Sequence, residues 1–295
     1  MRVKFTKLQG AGNDYLYIDA INDLPEGLAD DAGLYKNLAV KMSDRHFGVG
    51  SDGIIIILPS RKADFRMRIF NADGSEGEMC GNGMRCFAKY VHDRSLTGKN
   101  RITIETLAGI KSVQLFEESG KVKKALVEMG IPVYESSKVP VNLDVAEVLE
   151  EKTVFGGHEF KISCVSVGNP HCVIFVEDVE NFNVPLYGHL IENSPLFPKR
   201  INVEFVQIIS PDSVKVRTWE RGSGETLACG TGACAVYSVM KKTNKIGNIE
   251  TLNVILSGGV LQISGDVSKG IYMTGPAEEV FSGYYNYNDR DDRKT

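Results

Sequence analysis

Residues 80–83 read Cys80-Gly81-Asn82-Gly83, and residues 229–232 read Cys229-Gly230-Thr231-Gly232. The two stretches stand 149 residues apart (229 minus 80). The match extends upstream at the same offset. Arg66-Met67-Arg68-Ile69-Phe70 lies opposite Lys215-Val216-Arg217-Thr218-Trp219, Glu76 opposite Glu225, and Ile54 to Ile57 opposite Val203-Glu204-Phe205-Val206. Near the start, Gly12-Asn13 resembles Gly168-Asn169 at an offset of 156 (168 minus 12), a shift that one loop insertion explains. Chance accounts for one Cys-Gly-x-Gly pair, but not for the pair with a matching strand, aromatic and Glu in register. A domain-sized period implies a duplication. The 295 residues suit it, at roughly 150 residues per domain. The first domain is expected over residues 1–126 and the second over 127–276. Residues 277–295 are expected to return to the first domain, with Glu278 to Tyr287 as a strand and a frayed charged end at 289–295.

Alternating basic and apolar residues in the two aligned segments predict strands with one wet face. Strand signals recur at Tyr15–Asp19, Arg101–Thr106, Val122–Met129, Val165–Val167, Val173–Val176, Val254–Leu256 and Val260–Ser264. After each Cys-Gly-x-Gly the period changes. Met84, Phe87, Ala88 and Val91 are spaced for a helix, as are Ala233, Val236, Tyr237 and Met240. Both helices are apolar over much of their circumference, which predicts burial. The expected fold is α+β: two similar domains, each a curled, mixed, mainly antiparallel sheet around a central helix, with the active site in the cleft between them.

A cysteine at a helix N-terminus meets unpaired N–H groups and the positive dipole end, which is expected to lower its thiol pKa. The same N–H groups can bind a carboxylate, and the glycines permit close approach. Two such turns facing one carbon would form a two-base site. One thiolate removes a proton, the other thiol returns one to the opposite face, and the stereocentre inverts. An amino-acid α-proton is weakly acidic, so such a site must stabilise carbanion character electrostatically. Cys80 and Cys229 are the candidate acid/base pair. Cys86, Cys164, Cys172 and Cys234 read as packing residues, since Cys86 falls opposite Ala235 and Cys234 opposite Arg85.

Composition removes other classes. Thirty-four Lys+Arg against 38 Asp+Glu give a net charge of −4, a poor footing for nucleic-acid binding. The longest aliphatic run, Ile54 to Leu58, is too short to span a bilayer. No apolar run of signal-peptide length follows Met1. The expectation is a cytoplasmic protein with free thiols and no membrane or nucleic-acid partner. The cysteine intervals do not fit a zinc site, and no phosphate-binding loop is present. Glu220-Arg221 stands where the first repeat has Asn71 opposite Glu220. It reads either as a surface ion pair or as a fork for a substrate's ammonium and carboxylate. Asn13, Asn169, Asn202 and His171 are candidate polar contacts, although Asn is common in turns for backbone reasons.

Gly10-Ala11-Gly12-Asn13-Asp14-Tyr15, Phe70 through Glu76, Glu78 through Gly83, Gly168-Asn169-Pro170-His171 and Glu220 through Gly232 together resemble the diaminopimelate epimerases, over residues 4 to 280. Proline racemases look like relatives with the same two-cysteine logic, but their first motif carries His where this chain has Asn82. The resemblance implies a cofactor-independent, metal-free epimerase interconverting LL- and meso-2,6-diaminopimelate, a step to lysine and in many bacteria to peptidoglycan. It implies a diamino dicarboxylate substrate and a homodimer. Carried over by motif, Cys80 and Cys229 are the acid/base pair, with Cys80 the donor in the LL-to-meso direction. Gly81, Asn82, Gly230 and Thr231 contact the reacting carboxylate. Asn13, Asn71, Asn169, Asn202, Glu220 and Arg221 hold the substrate, and His171 and Glu220 assist. Some members carry Gln where this chain has Gly53. A proline-type racemase, a thiol–disulfide oxidoreductase and a non-catalytic amino-acid-binding protein stand as alternatives.

Overall fold

The computed structural model describes residues 1–24 and 31–288; the charged stretch 289–295 expected to fray lies outside them. The chain divides into two compact units, one of Met1–Ala125 with the stretch from Pro276 onward, the other of Leu126–Gly275. In order, the elements are β1 (Arg2–Gly10), β2 (Asn13–Asp19), α1 (Ala32–Ser43), β3 (Gly53–Leu58), β4 (Phe65–Asn71), β5 (Glu76–Gly77), α2 (Gly81–Asp93), β6 (Arg101–Thr106), β7 (Gly109–Glu118) and β8 (Lys121–Gly130). There follow β9 (Glu151–Phe155), β10 (His158–Ser166), β11 (Pro170–Phe175), α3 (Val184–Glu192), β12 (Asn202–Ser210), β13 (Ser213–Glu220), β14 (Gly224–Thr226), α4 (Gly230–Lys242), β15 (Thr251–Leu256), β16 (Gly259–Asp266), β17 (Gly270–Pro276) and β18 (Glu278–Asn286).

The first unit pairs β18 with β1, β1 with β2 and β3 with β4 antiparallel, but β2 with β3 parallel, the crossover carrying α1. From β4 a short antiparallel hairpin leads to β5, α2 crosses, and β6 returns parallel to β4 before pairing with β7. The second unit repeats this element for element. β9 pairs with β10, β10 with β11 and β12 with β13 antiparallel, and β11 pairs with β12 parallel around α3. β14, β15 and β16 then relate to β13 and to each other as β5, β6 and β7 do in the first unit. The repeat is preserved to single interactions. Arg68 holds Glu76 through Nε and Nη2 at 2.7 and 2.9 Å, and Arg217 holds Glu225 at 2.7 and 3.0 Å. Each fork pins its hairpin immediately ahead of a Cys-Gly-x-Gly turn.

The sheets place the turns through alternation of faces. In the first unit Leu16, Ile18, Ile54, Ile56 and Phe70 point to one core with Tyr35, Leu38 and Met42 of α1. The other face receives α2, whose Gly83 carbonyl accepts from the Tyr17 hydroxyl at 2.9 Å. Every residue of α2 from Gly81 to Val91 is buried, as expected of a central helix. Two charged residues inside it, Arg85 and Lys89, reach backbone carbonyls and one carboxylate. Arg85 Nε donates to the Pro276 carbonyl at 3.1 Å, and Lys89 Nζ to Asp93 and the Val122 carbonyl at 2.6 and 2.8 Å. The periodicity reading did not find the outer helices α1 and α3. α3 packs Ile191 with Ile162, Ile174, Val203 and Phe205 on the corresponding face of the second unit. Among the described residues no helix is long and apolar enough to cross a membrane.

Candidate functional site

Cys80 is the residue just before α2. Its backbone is extended (φ −135°, ψ 115°), and its sulfur accepts from the Gly83 N–H at 3.3 Å. The thiol thus occupies the place of a capping hydroxyl. Asn13 reaches it from the β1–β2 hairpin, whose two turn residues Ala11 and Gly12 have φ of 56° and 84°, as a two-residue turn requires. The Cys80 sulfur lies 3.4 Å from Asn13 Oδ1, while Asn13 Nδ2 donates to Asp52 Oδ2 at 2.7 Å. Asp52 therefore fixes which end of the amide faces the thiol. Asp52 itself is tied to Arg45 at 2.9 Å, and Arg45 and Lys7 bind Asp14 at 2.8 and 2.7 Å. Asn71 closes β4 and donates to Ser75 Oγ at 3.0 Å. Gly81 and Asn82 are buried in the first turn of α2.

The two carboxyls of this cluster are pushed opposite ways. Burial and the neighbouring Asp14 charge raise the Asp52 pKa. Burial would raise Asp14 too, but hydrogen bonds and charge from Arg45 and Lys7 outweigh it and hold its pKa down. A lowered folded-state pKa gives stability that is present above the unfolded-state value and lost as pH falls through the folded one. Asp14→Asn is therefore expected to lower unfolding free energy by about 1–3 kcal/mol at pH 7, the worth of charged hydrogen bonds. The gap to the wild type should narrow as pH drops below the carboxylate range. Urea melts of both proteins across that range check it, and a gap that stays constant with pH would contradict it.

Cys229 repeats the Cys80 geometry with different neighbours. Its backbone is extended (φ −111°, ψ 110°), and its sulfur accepts from the Gly232 N–H at 3.3 Å. Thr231 Oγ1 lies 3.4 Å from the sulfur. Glu220, at the end of β13, accepts from Thr226 Oγ1 at 2.6 Å, and its charge acts on the Cys229 thiol. His171 on β11 is fully buried. Its Nδ1 lies 2.8 Å from Glu204 Oε1 and its Nε2 lies 2.9 Å from Asn169 Oδ1. Asn202 donates to the Pro170 carbonyl at 2.8 Å and accepts from the Arg221 N–H at 2.9 Å, joining two of these segments. The Arg221 guanidinium donates to the Lys199 carbonyl at 3.1 Å.

Helix position alone led to the expectation of a lowered thiol pKa; Cys229 departs from it. Burial, then the charges of Glu220 and Glu204, push the Cys229 thiol well up, against the Thr231 and Gly232 hydrogen bonds. Burial likewise raises Glu220. The other thiols are buried packing groups. Cys164 and Cys172 stand directly opposite each other on β10 and β11, and burial lifts the Cys86 pKa to about 11. All six cysteines are free.

Four residues of these clusters escaped the sequence reading: Arg45, Asp52, Asp14 and Glu204. The signal for Glu204 was available, because it interrupts an apolar strand run opposite Ile55 of the first repeat. His171, Glu204 and Cys229 also offer ligand atoms within 4.8 Å of one another. The 2.8 Å His171–Glu204 separation is nevertheless a proton-sharing distance. Two N/O ligands of one tetrahedral zinc ion stand about 3.3 Å apart.

The family model described as diaminopimelate epimerase matches residues 5–135 and 163–280. The diaminopimelate epimerase of Acetivibrio thermocellus is 47% identical over 287 residues, covering 97% of this chain and 100% of the relative. That of Agathobacter rectalis is 50% identical over 289 residues, covering 95% and 98%. Among solved structures, a hydroxyproline epimerase from Agrobacterium vitis superposes with a TM-score of 0.70 at 13% identity, covering 96% of this chain and 91% of that one. A phenazine biosynthesis protein of the PhzF family from Bacillus anthracis gives 0.68 at 19%, covering 97% and 100%. These two structures share the fold. With the family model matching most of its length and the relatives nearly all of it, the chain belongs to the diaminopimelate epimerase family.

Proposed function

We propose that this protein interconverts LL- and meso-2,6-diaminopimelate by proton transfer between two thiols, without pyridoxal phosphate. One observation carries the reading: both halves of the duplication end a hairpin in a cysteine that caps a buried helix through the N–H of its second glycine. In the reaction one cysteine, as thiolate, takes the α-proton and becomes a thiol. The electron pair stays on the α-carbon, delocalised into its carboxylate. The opposite thiol then gives its proton to the other face, and the configuration is inverted. The N–H groups at Gly81, Asn82, Gly230 and Thr231 receive the carboxylate, where the positive helix ends favour developing negative charge. Asn13, Asn71, Asn169, Asn202, Glu220 and Arg221 hold the rest of the substrate, and His171 and Glu220 support the acid/base work. Near-50% relatives of that activity name support the substrate.

The same reading makes the protein a cytoplasmic homodimer, and sedimentation checks the assembly. The reaction itself is tested on LL-diaminopimelate in heavy water with the thiols kept reduced. Deuterium is expected at the α-carbon of both stereoisomers as meso product appears. Absence of both exchange and product would overturn the proposal. Turnover of a proline isomer with none of diaminopimelate would point to the racemase alternative instead.

A further inference from the structure

The duplicated halves differ at one buried position directly beneath the catalytic turn. A Cβ built on Gly83 would stand 2.7 Å from Ile55 Cδ1, and a Cβ built on Gly232 would stand 2.5 Å from Glu204 Oε1. The strands agree. Ile55 pairs with Tyr17 and Ile69, and Glu204 pairs with Val173 and Thr218, at the same places in the two sheets. One half thus seats its Cys-capped helix on a hydrocarbon, and the other seats it on a carboxylate with no solvent exposure.

A buried carboxylate costs several kcal/mol unless it is compensated, and well-packed apolar residues commonly replace such pairs without loss. The first repeat makes that replacement itself, with Ile55. Glu204 is not fully repaid, since its Oε2 is buried without a hydrogen-bond partner, as is Thr218 Oγ1 on the neighbouring strand. What it does have is His171 Nδ1 at 2.8 Å and the positive end of α4. His171 is in turn closed off by Asn169. A group kept at such cost, in one half only, against the helix turn of a reacting thiol, calls for a role in the reaction.

We infer that Glu204 is a positioning residue for the Cys229 half of the epimerase site: it holds His171 in place and sets a carboxylate under the Cys229 turn, where the first repeat sets Ile55 under the Cys80 turn. The inference rests on the proposed two-thiol reaction. The groups facing Cys229 are Glu220 from β13, Glu204 from β12, His171 from β11, and Thr231 with the Gly232 N–H from α4. Glu204 therefore gives the Cys229 half a polar group at the place where the Cys80 half has the hydrocarbon of Ile55.

The test compares wild type with Glu204→Gln, which keeps the shape, and Glu204→Ile, which copies the first repeat. Iodoacetamide labelling of Cys229 and Cys80 is followed against pH by peptide mass spectrometry, and kcat and KM are measured separately. Removing the charge should move the pH of half-maximal Cys229 labelling down by about one unit or more, leaving Cys80 unchanged. The kcat should fall by about tenfold or more, short of the roughly 10²–10⁴ lost with a proton-transfer group itself, with KM nearly unaltered. Unshifted Cys229 labelling, an equal shift at Cys80, or an unchanged kcat would overturn the inference. So would failure of both variants to fold, which would make Glu204 structural. The labelling arm needs no turnover, so it separates this inference from the assignment of diaminopimelate as substrate.

Discussion

Cys80→Ala and Cys229→Ala are each expected to abolish epimerisation, with kcat reduced by at least about 10²–10⁴-fold, the usual cost of losing a proton-transfer group. The two variants should not fail identically. Each retains one thiol, which can remove a proton and return solvent deuterium only from its own face. Residual exchange should therefore proceed with retention of configuration, on one stereoisomer in one variant and on the other stereoisomer in the second. Nuclear magnetic resonance of the α-position, read alongside chiral separation, distinguishes this from simple inactivation. Folding is not expected to confuse the result. Each sulfur caps its helix with one long N–H contact of 3.3 Å, and loss of even a good side-chain cap costs about 1 kcal/mol. Full epimerisation in either variant would remove the two-thiol mechanism.

The duplication was legible because it is written twice in one register. The Arg68–Glu76 fork, its Arg217–Glu225 counterpart and the Cys-Gly-x-Gly turns all obey one offset. Once that is read, the central helices follow from their apolar spacing. The outer helices were harder. α1 carries Lys36, Asn37 and Lys41 between its buried Tyr35, Leu38 and Met42, and α3 is only nine residues long with Gly188 inside it. Neither presents the strong local signal of the buried pair.

Site chemistry was legible at the thiols and less so around them. Helix capping is local, so the cysteines could be placed from four residues. Their pKa is not local. Cys229 acquires Glu220 and Glu204 from two strands that the chain reaches 9 and 25 residues earlier (229 minus 220, and 229 minus 204). The helix end is outweighed by that company and by burial. Asp52 is similarly invisible. It reaches Cys80 through Asn13, across a parallel strand pair that no periodicity announces. Gly53 shows the converse. A Cβ there would meet the Phe70 carbonyl at 2.2 Å and Tyr15 at 2.9 Å, so the side chain some family members carry at this position has no room in this backbone.

The glycines that close the two turns supply the second large expected effect, and it is unequal between the halves. Gly83→Ala and Gly232→Ala both place a methyl under 3.0 Å from the strand residue beneath, a separation at which something must move. At Gly83 the obstacle is Ile55 Cδ1, the far end of a flexible side chain, so the cost should be about 1–3 kcal/mol of overpacking. Ile55→Val, which deletes that methyl, should recover most of it in the double variant. At Gly232 the obstacle is Glu204 Oε1, which is held by His171 on one side and lies under the first turn of α4 on the other. It cannot retreat without breaking the 2.8 Å bond to His171, and the displaced carboxylate would be left buried and unpaired, the more expensive outcome. Gly232→Ala is therefore expected to lower kcat by more than tenfold, about the cost of one lost charged hydrogen bond or more. Its thermal midpoint should fall further than that of Gly83→Ala, and Ile55→Val should not rescue it. Melting curves and kinetics of the two alanine variants and the double variant decide the matter. Equal losses in both halves would mean that the turns are limited by backbone geometry alone and not by what each strand places beneath them.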